Sequence, residues 1–240
     1  MKLFTSILAI LIVIANLNAQ MFTKKIKGNG TIITNTRTVS DYDKVAVAGS
    51  FDVKLLKGKE GILTVKADEN LMEYIITEVK NGDLEIHIKK GFNISTNKTI
   101  NITVPFETIN AISLAGSGDI TSEDIIDSSD LTLKLAGSGN MSLNVSTKNL
   151  TTSIAGSGNM SLKGDSNEFE CNIAGSGNIN GYELKALIAN AKITGSGTIK
   201  INAVNEIHAK SAGSGNIYYS GNPSIEKISS VGSGSVKKKN

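Results

Sequence analysis

The chain has 240 residues, with 25 Lys and Arg against 22 Asp and Glu and a formal net charge of +3. That balance excludes the strongly basic footprint of a nucleic-acid binder. A single cysteine, Cys171, excludes an intramolecular disulfide framework, and the absence of tryptophan leaves little material for a sugar-stacking platform.

The N-terminus reads as an export signal. Lys2 precedes the apolar run Leu3 to Ile14, and Ala19-Gln20 supplies a small residue at the cut. Residues 1–19 are expected to be removed, and the apolar run is shorter than the roughly 20 residues a membrane span needs. No cysteine follows the run to carry a lipid, and no later stretch reads as a spanning helix. The expected location is the periplasm, the outer-membrane surface or the extracellular space. Residues 20–38, rich in Thr, Asn, Lys and Gly, read as an extended leader.

Residues 39–108 are β-rich. Val45, Val47, Val53 and Leu55 share parity, and Ile62 to Lys66 reads as a further strand. Asn70 to Val79 offers a short helix, with Leu71, Tyr74, Ile75 and Val79 at helical spacing. The β-branched Ile75-Ile76-Thr77 offers a strand instead. Asn81-Gly82 predicts a hairpin turn into Leu84, Ile86 and Ile88. Ile100, Ile102 and Val104 make the next strand, closed by Pro105.

Residues 109–236 carry seven copies of the phrase Ala-Gly-Ser-Gly-Asn/Asp-apolar, beginning at Ala115, Ala136, Ala155, Ala174, Thr194, Ala212 and Val231. A degenerate copy begins at Ala48. The steps of about 18–21 residues are those of a solenoid. Apolar residues precede the phrase (Leu114, Leu135, Ile154, Ile173, Ile193) and follow six positions later (Ile120, Met141, Met160, Ile179, Ile199, Ile217, Val236). An even separation aims both at the same side of an extended chain. Cys171 shares parity with Phe169 and Ile173 and reads as core. The glycines either supply φ > 0 at a corner or admit a neighbouring backbone. About ten residues of looser return path complete each coil. Variable coil length favours a right-handed parallel β-helix, an all-β solenoid of roughly 20-residue coils behind an N-terminal β-rich segment. Ser211 and Ser230 replace the inner apolar residue in the last coils, as terminal coils allow. Lys237 to Asn240 form a basic tail.

The segment Val39 to Val53, with Ala67-Asp68-Glu69-Asn70-Leu71, Asn81 to Ile86, Ile102 to Pro105 and the repeated phrase, resembles the head GIN domain family of exported Bacteroidetes-type proteins, labelled autotransporter adhesins. The resemblance covers about residues 38–236. It implies a right-handed β-helical fold and export, and brings no catalytic or binding residues with it. Nothing in the chain resembles a membrane-barrel translocator.

The chemistry is sparse. The acidic run Asp119, Glu123, Asp124, Asp127 and Asp130 reads as a solvated loop, with a weak calcium site as the alternative. Neither His87 nor His208 has a Cys or second His at ligand spacing. No catalytic set, metal site or cofactor loop is expected. What remains is an outward ladder: Ser117, Ser138, Ser157, Ser176, Ser196 and Ser214 in one row, and Asp119, Asn140, Asn159, Asn178, Thr198 and Asn216 in another. These side chains either bond their own turns and one another or present a regular array to a ligand. Tyr182, Tyr218 and Tyr219 are the candidate exposed aromatics. The function expected is a non-enzymatic adhesion or cell-envelope binding module, its partner a cell-surface glycan or envelope protein, with no nucleic acid and no membrane span in the mature chain. The alternatives are a polysaccharide-active lyase or glycosidase and a purely structural envelope protein.

Overall fold

The computed structural model describes residues 23–239, so the predicted signal peptide lies outside the described residues. The N-terminal part comprises β1 (Lys24–Lys27), β2 (Ile32–Thr38), β3 (Lys44–Gly49), β4 (Asp52–Lys57) and β5 (Ile62–Asp68). A 3-10 turn (Glu69–Tyr74) leads to β6 (Ile75–Lys80), β7 (Asp83–Ile88), β8 (Phe92–Ser95) and β9 (Asn101–Phe106). The leader is built into the fold from Lys24 onward: β1 pairs with β8 in parallel, and β2 lies antiparallel on β5.

The stretch with two readings divides between them. Its first half makes only the 3-10 turn, and its β-branched second half becomes β6, antiparallel to β7. Arg37 of β2 fixes the junction by donating to the carbonyls of Met72 and Ile75. Asn81 (φ 52°) and Gly82 (φ 80°) form the predicted turn, both at the positive φ of a tight hairpin.

Asp68 ties this part together. It is buried, accepts from the Gly30 N–H (2.6 Å) and accepts from the Thr96 hydroxyl (2.6 Å). The Thr96 bond foremost, then the Gly30 N–H and nearby Lys98, hold its carboxyl below the ordinary range against the opposing effect of burial. A lowered folded value means that the unfolded chain binds the proton more tightly. The stabilisation is therefore complete above the ordinary carboxylate range and is lost as pH falls through the lowered folded value. Asp68→Ala is expected to cost about 1–3 kcal/mol at neutral pH through two orphaned donors. Thermal unfolding across pH should show the gap between wild type and variant narrowing below about pH 4.

Beyond residue 109 the chain winds into a β-solenoid of stacked parallel coils of about 19 residues, about 7 turns in all. The coils are β10 (Ala111–Gly116), β11 (Asp119–Gly137), β12 (Asn140–Gly156), β13 (Asn159–Gly175), β14 (Asn178–Gly195), β15 (Thr198–Gly213), β16 (Asn216–Ser220), β17 (Ile225–Val231) and β18 (Ser235–Lys238). β3 and β4, on either side of the degenerate phrase, form the first coil: β3 stacks on β10, and β4 on the start of β11. The return path is not loose. β11 to β15 stay extended through nearly the whole coil, and the variable step is absorbed by register shifts such as those between Thr121 and Ile125 and between Gly181 and Lys185.

Both reasons for glycine hold at the corner. Gly156 has φ 129°, and a Cβ there would lie 2.5 Å from the carbonyl oxygen of Gly137 in the coil below. That oxygen accepts two N–H groups of the next coil, from Ser157 (2.9 Å) and Gly158 (3.0 Å), which draws the corners together. At Gly158 close approach alone decides, since a Cβ would meet the Gly139 oxygen at 2.4 Å and Leu135 Cδ2 at 2.6 Å.

The core follows the predicted parity. Leu114, Leu135, Ile154, Ile173 and Ile193 are buried, as are Ile120, Met141, Met160, Ile179, Ile199 and Ile217. Cys171 is fully buried between Thr152 and Ala191 in register, and burial pushes its thiol up, so it is inert. Phe51 replaces the second glycine in the degenerate phrase and is buried at the N-terminal end of the stack. At the other end Ser211 is buried and its hydroxyl donates to the Gly215 carbonyl (2.7 Å), which explains a polar residue at an inward position.

Candidate functional site

The outward ladder exists as rows in register, but its second row is occupied with itself. Asn140 donates to Asp119 (2.8 Å), Asn159 to Asn140 (2.9 Å) and Asn178 to Asn159 (2.8 Å). The amides therefore point one way and end on a carboxylate, an arrangement in which each bond polarises the next. Thr198 interrupts the row, and Asn216 accepts from the Ser235 N–H and hydroxyl instead. Ser117, Ser138, Ser157, Ser176, Ser196 and Ser214 are exposed at the corners.

The acidic run disperses into structural contacts. Asp119 heads the ladder, Asp124 accepts from the Lys57 N–H (2.8 Å), Glu123 lies 3.8 Å from Lys54, and Asp130 accepts from Asn149 (2.7 Å). Asp52 stacks on Asp119 in register, and its carboxyl is raised by burial first and by that neighbouring charge second. Among the aromatics, Tyr219 is core rather than surface, at 4 % exposure, while Tyr182 and Tyr218 are half-buried.

A groove of about 710 Å³ lies elsewhere, on the outer face where β7, β3 and β10 run side by side. The volume is within the range of ligand pockets. Its floor is made by small side chains brought into line by the register: Ala46 beside Ser113, and Ala48 beside Ala115. Methyl-sized residues on adjacent strands leave a depression that larger neighbours would fill.

The hairpin β6–β7 supplies the rim. Its tight turn places Glu78 directly opposite Glu85, and His87 in line with Ala48. Two carboxylates facing each other are unfavourable unless neutralised. Lys80 does this, with its Nζ 2.6 Å from Glu78 Oε1 and 3.4 Å from Glu85 Oε2. His87 Nε2 lies 3.4 Å from Glu78 Oε1, and its Nδ1 lies 3.0 Å from the Ile88 carbonyl oxygen. The bond from Lys80 first, and that from His87 second, hold the Glu78 carboxyl below its ordinary value. Glu78, Glu85 and His87 offer three ligand atoms within 4.8 Å of one another, the only such metal-ligating trio among the described residues. The Lys80 ammonium already serves that carboxylate pair.

The sequence alone gives His87 no Cys or His partner and does not single out Glu78, Lys80 or Glu85. The usable signal was the Asn81-Gly82 turn: a two-residue hairpin fixes register, and counting outward from it pairs residue 78 with 85. His208, on β15, lies outward beside Glu206 and takes no part in the groove.

Solved structures share this architecture. A "putative adhesin" from Bacteroides fragilis superposes with a TM-score of 0.83 at 28% identity, covering 89% of this chain and 100% of that one. A "putative lipid binding protein" from Parabacteroides distasonis gives 0.76 at 30% identity, covering 90% and 100%. A "putative adhesin" from Parabacteroides merdae, at 21% identity and a TM-score of 0.71, shares the fold. No curated protein matches the chain. No helix among the described residues is long and apolar enough to cross a membrane. The family model described as "Putative auto-transporter adhesin, head GIN domain" matches residues 41–223, from the first coil into the last, and the chain belongs to that family.

Proposed function

We propose that this chain is an exported, non-enzymatic binding module of the cell surface, and that it holds its partner in the groove over Ala46, Ala48 and Ala115. The observation that carries the reading is the groove itself: a depression of about 710 Å³ with an apolar floor and a rim of Glu78, Lys80, Glu85 and His87. Such a rim offers donors and acceptors in fixed positions, suited to the hydroxyl groups of a glycan, while the methyl floor suits the C–H face of a sugar ring. We read the ladder asparagines as structural, a reading supported by the amides that Asn140, Asn159 and Asn178 spend on the row itself.

A non-enzymatic role is supported by the adhesin-like family and by the way carboxylates of the acidic run are taken up by Lys54, the Lys57 N–H and the Asn140 and Asn149 amides, away from the groove. A surface location is supported by the family and by the N-terminal apolar run. Glycan arrays and binding to intact cells test the proposal. The form beginning at Gln20 is expected to retain on envelope glycans or cells, and Glu85→Lys, which turns the rim electropositive, is expected to weaken retention about tenfold or more. Uniformly blank arrays and cells, or release of a cleaved saccharide, would overturn it.

A further inference from the structure

The two ends of the solenoid differ. At the N-terminal end β7 runs parallel to β3, β6 folds back antiparallel on β7, and Phe51 fills the corner. At the C-terminal end β17 and β18 each have one neighbour, and their outer edges carry no further strand among the described residues. β17 is exposed along its whole length. Ile228 stacks on the buried Ala209, and Val236 on the buried Ile217, at positions that would be core if another coil followed.

Large apolar side chains concentrate at this end. Of the eight that are exposed among the described residues, three (Ile225, Ile228 and Val231, the last 71 % exposed) lie on β17, and three (Leu187, Ile188 and Val204) lie on β14 and β15 beneath it. Exposed apolar surface of this kind marks interaction sites. This end is also net positive. Residues 198–239 hold six lysines and two glutamates, a formal +4 that exceeds the +3 of the entire chain. Lys227, Lys237, Lys238 and Lys239 all belong to the last coil, and Lys227 is 66 % exposed despite lying 3.7 Å from Glu206.

We propose that the C-terminal end of the solenoid docks on a lipid surface bearing anionic headgroups. The charge disfavours the same end of a second copy, because the lysines of β17 and β18 would face one another. A soluble polyanion would use the lysines and leave the isoleucines and valines in water. An anionic lipid surface uses both: lysines meet the headgroups, and Ile225, Ile228 and Val231 reach the acyl boundary. The free edges of β17 and β18 limit the depth, since unpaired backbone groups are not tolerated in hydrocarbon but bond to headgroups and water. Seven strand steps separate β3 from β17, about 34 Å at the usual strand spacing. End-on docking therefore stands the solenoid up and presents the groove away from the lipid.

The test is co-sedimentation of the form beginning at Gln20, which lacks the N-terminal apolar run, with phosphatidylcholine vesicles with and without phosphatidylglycerol. Binding is expected to be at least about tenfold stronger with phosphatidylglycerol and to fall as salt is raised. Ile225→Asp with Val231→Asp, at exposed positions, should abolish it without shifting the melting temperature. Lys237→Glu with Lys238→Glu should do the same while leaving the apolar side chains in place. Ala48→Arg in the groove should leave it unchanged, which separates this proposal from the glycan site. Absent binding, equal binding to both vesicles, or indifference to both double variants would overturn it. So would self-association in sedimentation velocity that the double aspartate variant abolishes, because the face would then belong to a second copy.

Discussion

Gly156→Val is expected to lower the melting temperature by roughly 8–16 °C, while Ser157→Ala next to it leaves the melting temperature within a degree or two. The valine would face two penalties together. A β-branched residue at φ 129° is strained, and its Cβ would stand 2.5 Å from the Gly137 oxygen, which already accepts the Ser157 and Gly158 N–H groups. Gly175 in turn rests on Gly156, so any displacement of the corner passes to the coil above. A combined cost above about 4 kcal/mol is the diagnostic range for such a site, and a domain of this size loses about 2–4 °C per kcal/mol. Ser157 is exposed and its side chain leaves the stack. Differential scanning calorimetry of both variants checks the pair; equal, small shifts would mean that the corners are not held by backbone contact.

Phe169→Ala should cost about 3–5 kcal/mol in urea unfolding, the range for a fully buried phenylalanine. The ring is completely buried, between Leu150 and Ala189 in register, and a Cβ on Gly181 of the next coil would stand 3.4 Å from it. Small residues on one side make room for the large one, so truncation leaves a cavity that neither Ala189 nor Gly181 fills. Because each coil buries its apolar side only against its neighbours, amide exchange should quicken most in β12, β13 and β14. A cost under about 1 kcal/mol would show that the interior is loosely packed.

Much of this fold is written in local rules. The even spacing from Ile154 to Met160, with glycines between, specifies two inward residues and a corner, and the structure buries both. Asn81-Gly82 specifies its turn through positive φ. The return path is less legible because the acidic run ending at Asp127 and Asp130 reads as solvated loop, whereas parallel stacking supplies the ladder bonds that keep such residues extended. Tyr219 reads as surface beside Tyr218, yet it shares parity with the inward Ile217 and stacks on Ile201, which turns it inward. The groove was hidden for a different reason. Its floor combines β3 and β10, some 65 residues apart in sequence, and its rim comes from a hairpin that lies between them; no single stretch carries the pattern. The ladder was visible because it repeats, and repetition here reflects the demands of stacking.

The groove and the ladder make opposite predictions in one measurement. Binding to intact cells, or to the envelope glycan that arrays identify, is compared for wild type, Ala48→Arg and Asn159→Ala, each checked for an intact melting transition. Ala48 is exposed on the groove floor, so an arginine there fills the site without entering the core. Asn159 sits mid-ladder between Asn140 and Asn178. Ala48→Arg is expected to lose binding by more than about tenfold, and Asn159→Ala to bind as wild type with stability lowered by about 1 kcal/mol. Full binding by Ala48→Arg together with loss in Asn159→Ala would place the site on the ladder and contradict the groove.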